Sequence, residues 1–166
     1  AVVLSSGSRV NVINNVATTE YGGGIYLDGL NTRLNVSGTG TQLVVQGNTA
    51  EKLGGGVFVF SAAAVTLSLG AHLDVINNTA VTFYGGGIYL QSARLDVHGI
   101  GAKLVVQGNT AEQFGGGVFA SSESSVLISS GARLNVINNT AQWSGGGVYA
   151  QSASAVVLSS GSRVNV

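Results

Sequence analysis

The chain has no cysteine, no methionine and no proline, and only 8% of its residues are charged. Each absence closes off a class of protein. Without cysteine there is no disulfide framework and no thiolate metal site, and such a chain suits export through an oxidising compartment. Without proline every residue keeps a backbone N–H donor, as an unbroken ladder of strands requires. Seven Lys+Arg balance seven Asp+Glu. That argues against nucleic acid, whose binding needs basic patches, and against an electrostatic membrane site. Hydrophobic residues reach 45%, yet no apolar run approaches the roughly 18 residues that cross a bilayer. No membrane insertion of this segment is expected. The same apolar content, evenly spaced, argues against disorder. Ala1 reads as the middle of a strand, which places any targeting segment outside residues 1–166.

What the chain has in abundance is glycine, 26 residues of it, and the glycines are periodic. The element GGG, then Ile or Val, then Tyr or Phe, starts at Gly22, Gly54, Gly85, Gly115 and Gly145, in steps of 32, 31, 30 and 30. A period of this size indicates a solenoid. One unit, Gly85 to Phe114, holds three β-like runs: Ile88–Leu90, Arg94–Val97 and Lys103–Val106. Gly, Ser, Asn and Thr separate them as turn residues. Polarity alternates along each run, and no stretch keeps a helical period. The expected fold is all-β: a right-handed parallel β-helix of about five coils of 30–32 residues, with three short strands per coil. It forms one segment over residues 1–166. A single coil buries too little to stand alone, so stability belongs to the stack.

Stacking predicts columns. Leu43, Leu73, Leu104, Leu134 and Val164 should point inward together, as should Val45, Val75, Val106, Val136 and Val166, and Ile25, Val57, Ile88, Val118 and Val148. Two coil types follow the order A, B, A, B, B. One runs on to LVVQGNTAE (43–51, 104–112) and the other to RLNVINNTA or a close variant (72–80, 133–141). The first twelve residues recur letter for letter as residues 155–166, at an offset of 154. This reads as a slice of a longer array with a 154-residue super-repeat, or as a boundary within a periodic polymer.

Several columns carry candidate roles. Asn15, Asn48, Asn78, Asn109 and Asn139 read as a structural ladder, because Asn tolerates the left-handed turn and stacked amides bond to one another. Thr49, Thr79, Thr110 and Thr140 lie beside that turn, one per coil, whereas an ice-binding face needs paired Thr columns. The GGG element allows tight turning or close approach. It is no nucleotide loop, since neither a helix nor Lys-Ser/Thr follows. Tyr26, Phe58, Tyr89, Phe119 and Tyr149 should face away from the core. They would either stack on one another or form an exposed surface-contact stripe for glycan, another rod or a host surface. Tyr21, Tyr84, Phe114 and Trp143 precede the Gly runs, with Leu53 in one coil. Arg9, His72, Lys103, Arg133 and Arg163 form a basic column broken by Gln42. It reads as a solvated face or as a stripe for anions or sulfated glycans. Glu51 and Glu112 recur two coils apart, about 10 Å at the strand spacing, near the separation of an inverting carboxylate pair. Being repeat-related, they read as two copies of one loop residue. The sequons at Asn35, Asn77 and Asn138 are too short a motif to mean much. No enzyme, cofactor or metal site is expected.

The I-N-N-T-A…GGG-I/V-Y pattern, as at Ile76–Tyr89 and Ile137–Tyr149, resembles the repeats of the polymorphic outer-membrane proteins and related autotransporter or adhesin passengers of Gram-negative bacteria. Those carry GGA-I/L/V and F-x-x-N elements on a right-handed parallel β-helix. Here a third Gly stands for Ala, and Val or Leu for Phe, as in VINN and VVQGN. The likeness spans essentially the whole chain. It implies a secreted or surface-displayed structural or adhesive protein on the bacterial outer surface, such as a stalk, fibre or sheath. Its partner would be itself, end to end or by continuation of the chain. A glycan-binding or receptor-binding passenger is the alternative.

Overall fold

The computed structural model describes residues 1–159 and 161–166. Among the described residues there is no helix, and 22 short strands form four parallel sheets. The chain is a β-solenoid of about five turns, and each coil visits four faces in order. In the fourth coil these are Arg94–His98, Lys103–Gln107, Thr110–Ala111 and Val118–Ser121. Each strand pairs with its equivalent in the coils before and after. The first and second faces hold six strands, the third and fourth five.

The expected count of three strands per coil is therefore corrected to four. The added face is the two-residue Thr-Ala strand, which reads in the sequence as part of a turn. It is too short for alternation to appear, yet it joins the ladder fully. Thr110 N–H donates to Asn78 O at 2.9 Å and Glu112 N–H to Ala80 O at 3.2 Å.

Inward columns stack like on like. Leu43, Leu73, Leu104 and Leu134 lie in register, as do Val45, Val75, Val106 and Val136, and all are buried. Ile25, Val57, Ile88, Val118 and Val148 form the inward column of the fourth face. Val164 packs against this core at its margin. Val166 lies past the last strand and is exposed in the outermost coil, with its Cγ1 and that of Val136 both beside Gly147, 3.1 and 3.4 Å from a built Cβ.

The three glycines of each GGG element answer three different demands. The first, such as Gly85 at φ 67°, takes the left-handed conformation that glycine adopts without steric cost. The second faces backbone: a Cβ on Gly86 would lie 2.7 Å from the Gly116 carbonyl oxygen. The third faces the Asn column: a Cβ on Gly87 would lie 2.9 Å from Asn109 Nδ2. Coil joins coil here through Gly86 N–H to Gly115 O (3.2 Å) and Gly87 N–H to Gly116 O (3.0 Å).

This predicts unequal glycine tolerance. Gly7 turns at φ 77° with nothing within 4 Å of a built Cβ, so Gly7→Ala should cost only the left-handed penalty of about 1–2 kcal/mol. Gly86→Ala must displace backbone in the next coil and should lower the urea midpoint much further. Equal midpoints for the two variants would mean that coils separate freely enough to admit a methyl group.

Candidate functional site

Three columns have the chemistry to form a site: the Asn ladder, the aromatic column and the basic column. The Asn ladder is continuous from Asn15 to Asn139. From Asn48 to Asn139, each Oδ1 accepts two bonds from the preceding Asn. Asn78 Oδ1 accepts Asn48 N–H (2.9 Å) and Asn48 Nδ2–H (3.0 Å), and Asn109 Oδ1 does the same for Asn78. The second Nδ2–H turns back one coil, from Asn78 to Val45 O (3.0 Å) and from Asn109 to Val75 O (2.9 Å). Both oxygen lone pairs and both amide hydrogens of an inner Asn are thus used. Asn48, Asn78 and Asn109 are fully buried. The amides face the interior and hold coils together, so they offer nothing to a ligand.

The left-handed turn sits one residue earlier than the sequence reading placed it. Asn14, Gly47, Asn77, Gly108 and Asn138 carry φ between 52 and 65°, while the ladder Asn do not. This separates the two coil types. A Cβ on Gly47 would overlap the Asn14 side chain, and one on Gly108 would overlap that of Asn77. Asn14 and Asn77 each lean over a Gly in the next coil, and NN and GN alternate along the column.

The aromatic column is not a surface stripe. Phe58, Tyr89 and Phe119 are at most 5% exposed and form a second core outside the main one. Their rings stack face to face, with centroids 5.2 Å apart for Phe58–Tyr89 and 5.0 Å for Tyr89–Phe119. The reason is the GGG turn, which folds the preceding residue back over the column of the following coil. Tyr21 stacks on Phe58 (5.0 Å), Tyr84 on Phe119 (4.8 Å) and Phe114 on Tyr149 (4.8 Å). Leu53 lies in the same cluster. Tyr26, in the first coil, lacks such a cover and is 47% exposed. Trp143 is one residue out of this series, since Phe114 bridges Ser144, and its exposed ring meets Phe114 edge-on at 5.4 Å. Alternation correctly turns the rings away from the first core. The signal for the second core is the apolar residue before each GGG element.

The basic column stands where the spacing places it. Arg9, Gln42, His72, Lys103, Arg133 and Arg163 succeed one another in register at the start of each second-face strand. Its side chains face solvent, with Lys103 the most covered along with Gln42. Two residues on come Asn11, Val44, Asp74, Val105, Asn135 and Asn165. Glu51 and Glu112 are each engaged by the next coil: Thr82 Oγ1–H donates to Glu51 Oε1 (3.0 Å) and Gln142 Nε2–H to Glu112 Oε2 (2.7 Å). The Thr column stays a single row per coil, within the third face.

No family model matches the chain, and neither does any curated protein or solved structure.

The ladder predicts a position-dependent cost. Asn78→Ala strands the Asn48 N–H and the Val45 carbonyl in the interior. At about 1–3 kcal/mol per unsatisfied group it should lower stability by several kcal/mol in urea titration, and Asn15→Ala at the margin by far less. Equal losses would refute the account of shared amides. The second core predicts a pH effect. Desolvation raises the Tyr89 phenol above its ordinary value, against a smaller opposing effect of the Ser121 hydroxyl. The unfolded chain then releases that proton first. The contribution is complete below about pH 10 and is lost as pH rises beyond it. Tyr89→Phe should flatten the alkaline decline of the urea midpoint, and an unchanged slope would show that Tyr89 does not carry it.

Proposed function

We propose that this chain is part of an extracellular structural rod, a stalk or fibre displayed on a bacterial surface, whose work is to hold shape over length. The observation that carries this reading is the direction in which the regular chemistry points. The Asn ladder, the Gly triplets, the aliphatic columns and the stacked rings all bind one coil to the next. Repeats that bury their distinctive residues in mutual stacking are built for extension. The absence of cysteine supports export, and the likeness of the GGG and INNTA elements to outer-membrane passenger repeats supports surface display.

The partner on this reading is more of the same solenoid. At the margins of the stack the ladder offers complementary groups. Asn15 presents its Oδ1, and Asn139 its N–H, unbonded among the described residues. A further coil, from the same chain or a second copy, would satisfy both. A passenger that reads glycans through the aromatic column is not favoured, because three of its five rings are buried.

Electron microscopy of the native material tests this. Long unbranched fibres with an axial strand spacing of about 4.8 Å and a super-repeat of about 24 Å for five coils are the expected result. Short isolated rods would overturn it.

A further inference from the structure

We propose that the corner between the first and second faces is a track for a linear acidic polysaccharide, one whose sugars carry carboxylate or sulfate groups. In each of the six second-face strands a glycine turns this corner two residues before the basic column. These are Gly7, Gly40, Gly70, Gly101, Gly131 and Gly161, with φ between 71 and 82°. Lacking side chains, they leave room along the flank of the basic row, with Thr39 reaching beside Gly70 and Ile100 beside Gly131. Two grooves follow it, of about 200 and 370 Å³. Arg9, Gln42 and His72 line the first, and His72, Lys103 and Arg133 the second, together with the exposed Ile100. His72 lines both, so the two grooves adjoin at this residue along the rod axis.

The charge pattern is the stronger argument. Parallel register places each residue over its equivalent about 4.8 Å away, and like charges so placed are destabilising. On the first face the chain avoids this: Arg33, Ala64, Arg94 and Ser125 alternate charged with neutral. On the second face Lys103, Arg133 and Arg163 follow one another directly, with His72 before them. Among the described residues, ion pairs join Lys52 to Glu20 and Arg94 to Asp96, and none involves this row. Asp74, the acid on this face, is bonded by Gln42 Nε2–H at 2.7 Å. The chain is neutral as a whole, yet four of its seven Lys and Arg residues lie in this one column. An uncompensated cation row beside an open groove focuses a positive field, and a polyanion laid along it would relieve the repulsion. The larger serine-lined hollow at Ser92, Ser122 and Ser152 carries Glu123 and no cation, so it lacks this complementarity.

The face also selects among polyanions. Single-stranded nucleic acid is held by aromatic platforms on which bases stack, and the outward residues here are Asn11, Val44, Asp74, Val105, Asn135 and Asn165. Amides suit sugar hydroxyls.

The test measures binding of the rod to immobilised dextran sulfate, polygalacturonate and uncharged dextran, across a salt series. Two double variants remove equal charge: Lys103→Gln with Arg133→Gln in the row, and Arg33→Gln with Arg94→Gln on the first face. The acidic polymers should bind and dextran should not. The row variant should lose about tenfold in affinity and show a shallower salt dependence, while the first-face variant keeps its affinity. The row variant should also match or exceed the parent's urea midpoint without ligand, because repulsion is removed. Four results would overturn the proposal: no binding to either acidic polymer, equal loss in both variants, equal competition by single-stranded DNA, or self-association that the row variant alone abolishes.

Discussion

A parallel ladder in register admits one arrangement, each residue on its own equivalent, with the next layer about 4.8 Å away. Every column must therefore be made of residues that tolerate copies of themselves. Leucine and valine do so by dispersion. Asparagine does so better than other polar residues, because its amide is self-complementary: one oxygen accepts from the amide and the backbone of the coil before, and its own amide donates in both axial directions. A buried polar group is costly only when unpaired, and here repetition itself provides the pairing. The same constraint fixes the glycines beside the ladder. A side chain at Gly87 would push into Asn109 and the Gly117 carbonyl, so the amide column and the third glycine are one device.

Alternation of the coil types accompanies a contact at the neighbouring position. A left-handed residue is needed at that turn in every coil, and Asn or Gly satisfies it. The Asn14 and Asn77 side chains lean into the space that a Cβ on Gly47 or Gly108 would occupy. The chain uses Asn, then Gly, then Asn. The same two-coil pattern shows at the surface, where Asn11, Asp74 and Asn135 alternate with Val44 and Val105 before Asn165 follows Asn135 directly.

Much of this was legible because register turns sequence period into spatial position. The inward Leu, Val and Ile columns, the Asn ladder and the basic row all follow from aligning five copies of one motif. The face Thr110–Ala111 did not follow, because two residues show no alternation and sit beside turn-forming Asn. The burial of Tyr89 and Phe119 did not follow either. Alternation along a strand says which way a ring points relative to that strand. It says nothing of a loop returning from the coil before, and it is Tyr84, beyond the Gly triplet, that covers Phe119. Conformational contacts made by irregular segments carry no period for a sequence reading to detect.

The basic row is the column that self-stacking does not explain. Where like charge would meet like on the first face, the sequence intersperses Ala64 and Ser125. On the second face three Lys and Arg residues run consecutively. A rod selected for stiffness alone would gain by breaking that run, since each neutral substitution removes a repulsion. Its retention makes sense if the repulsion is relieved by something outside the chain. Binding to the folded state alone then adds to stability by mass action, and a polymer crossing several coils would clamp them together. In such a rod the structural and binding roles are coupled, because the ligand that occupies the track also strengthens the stack that presents it.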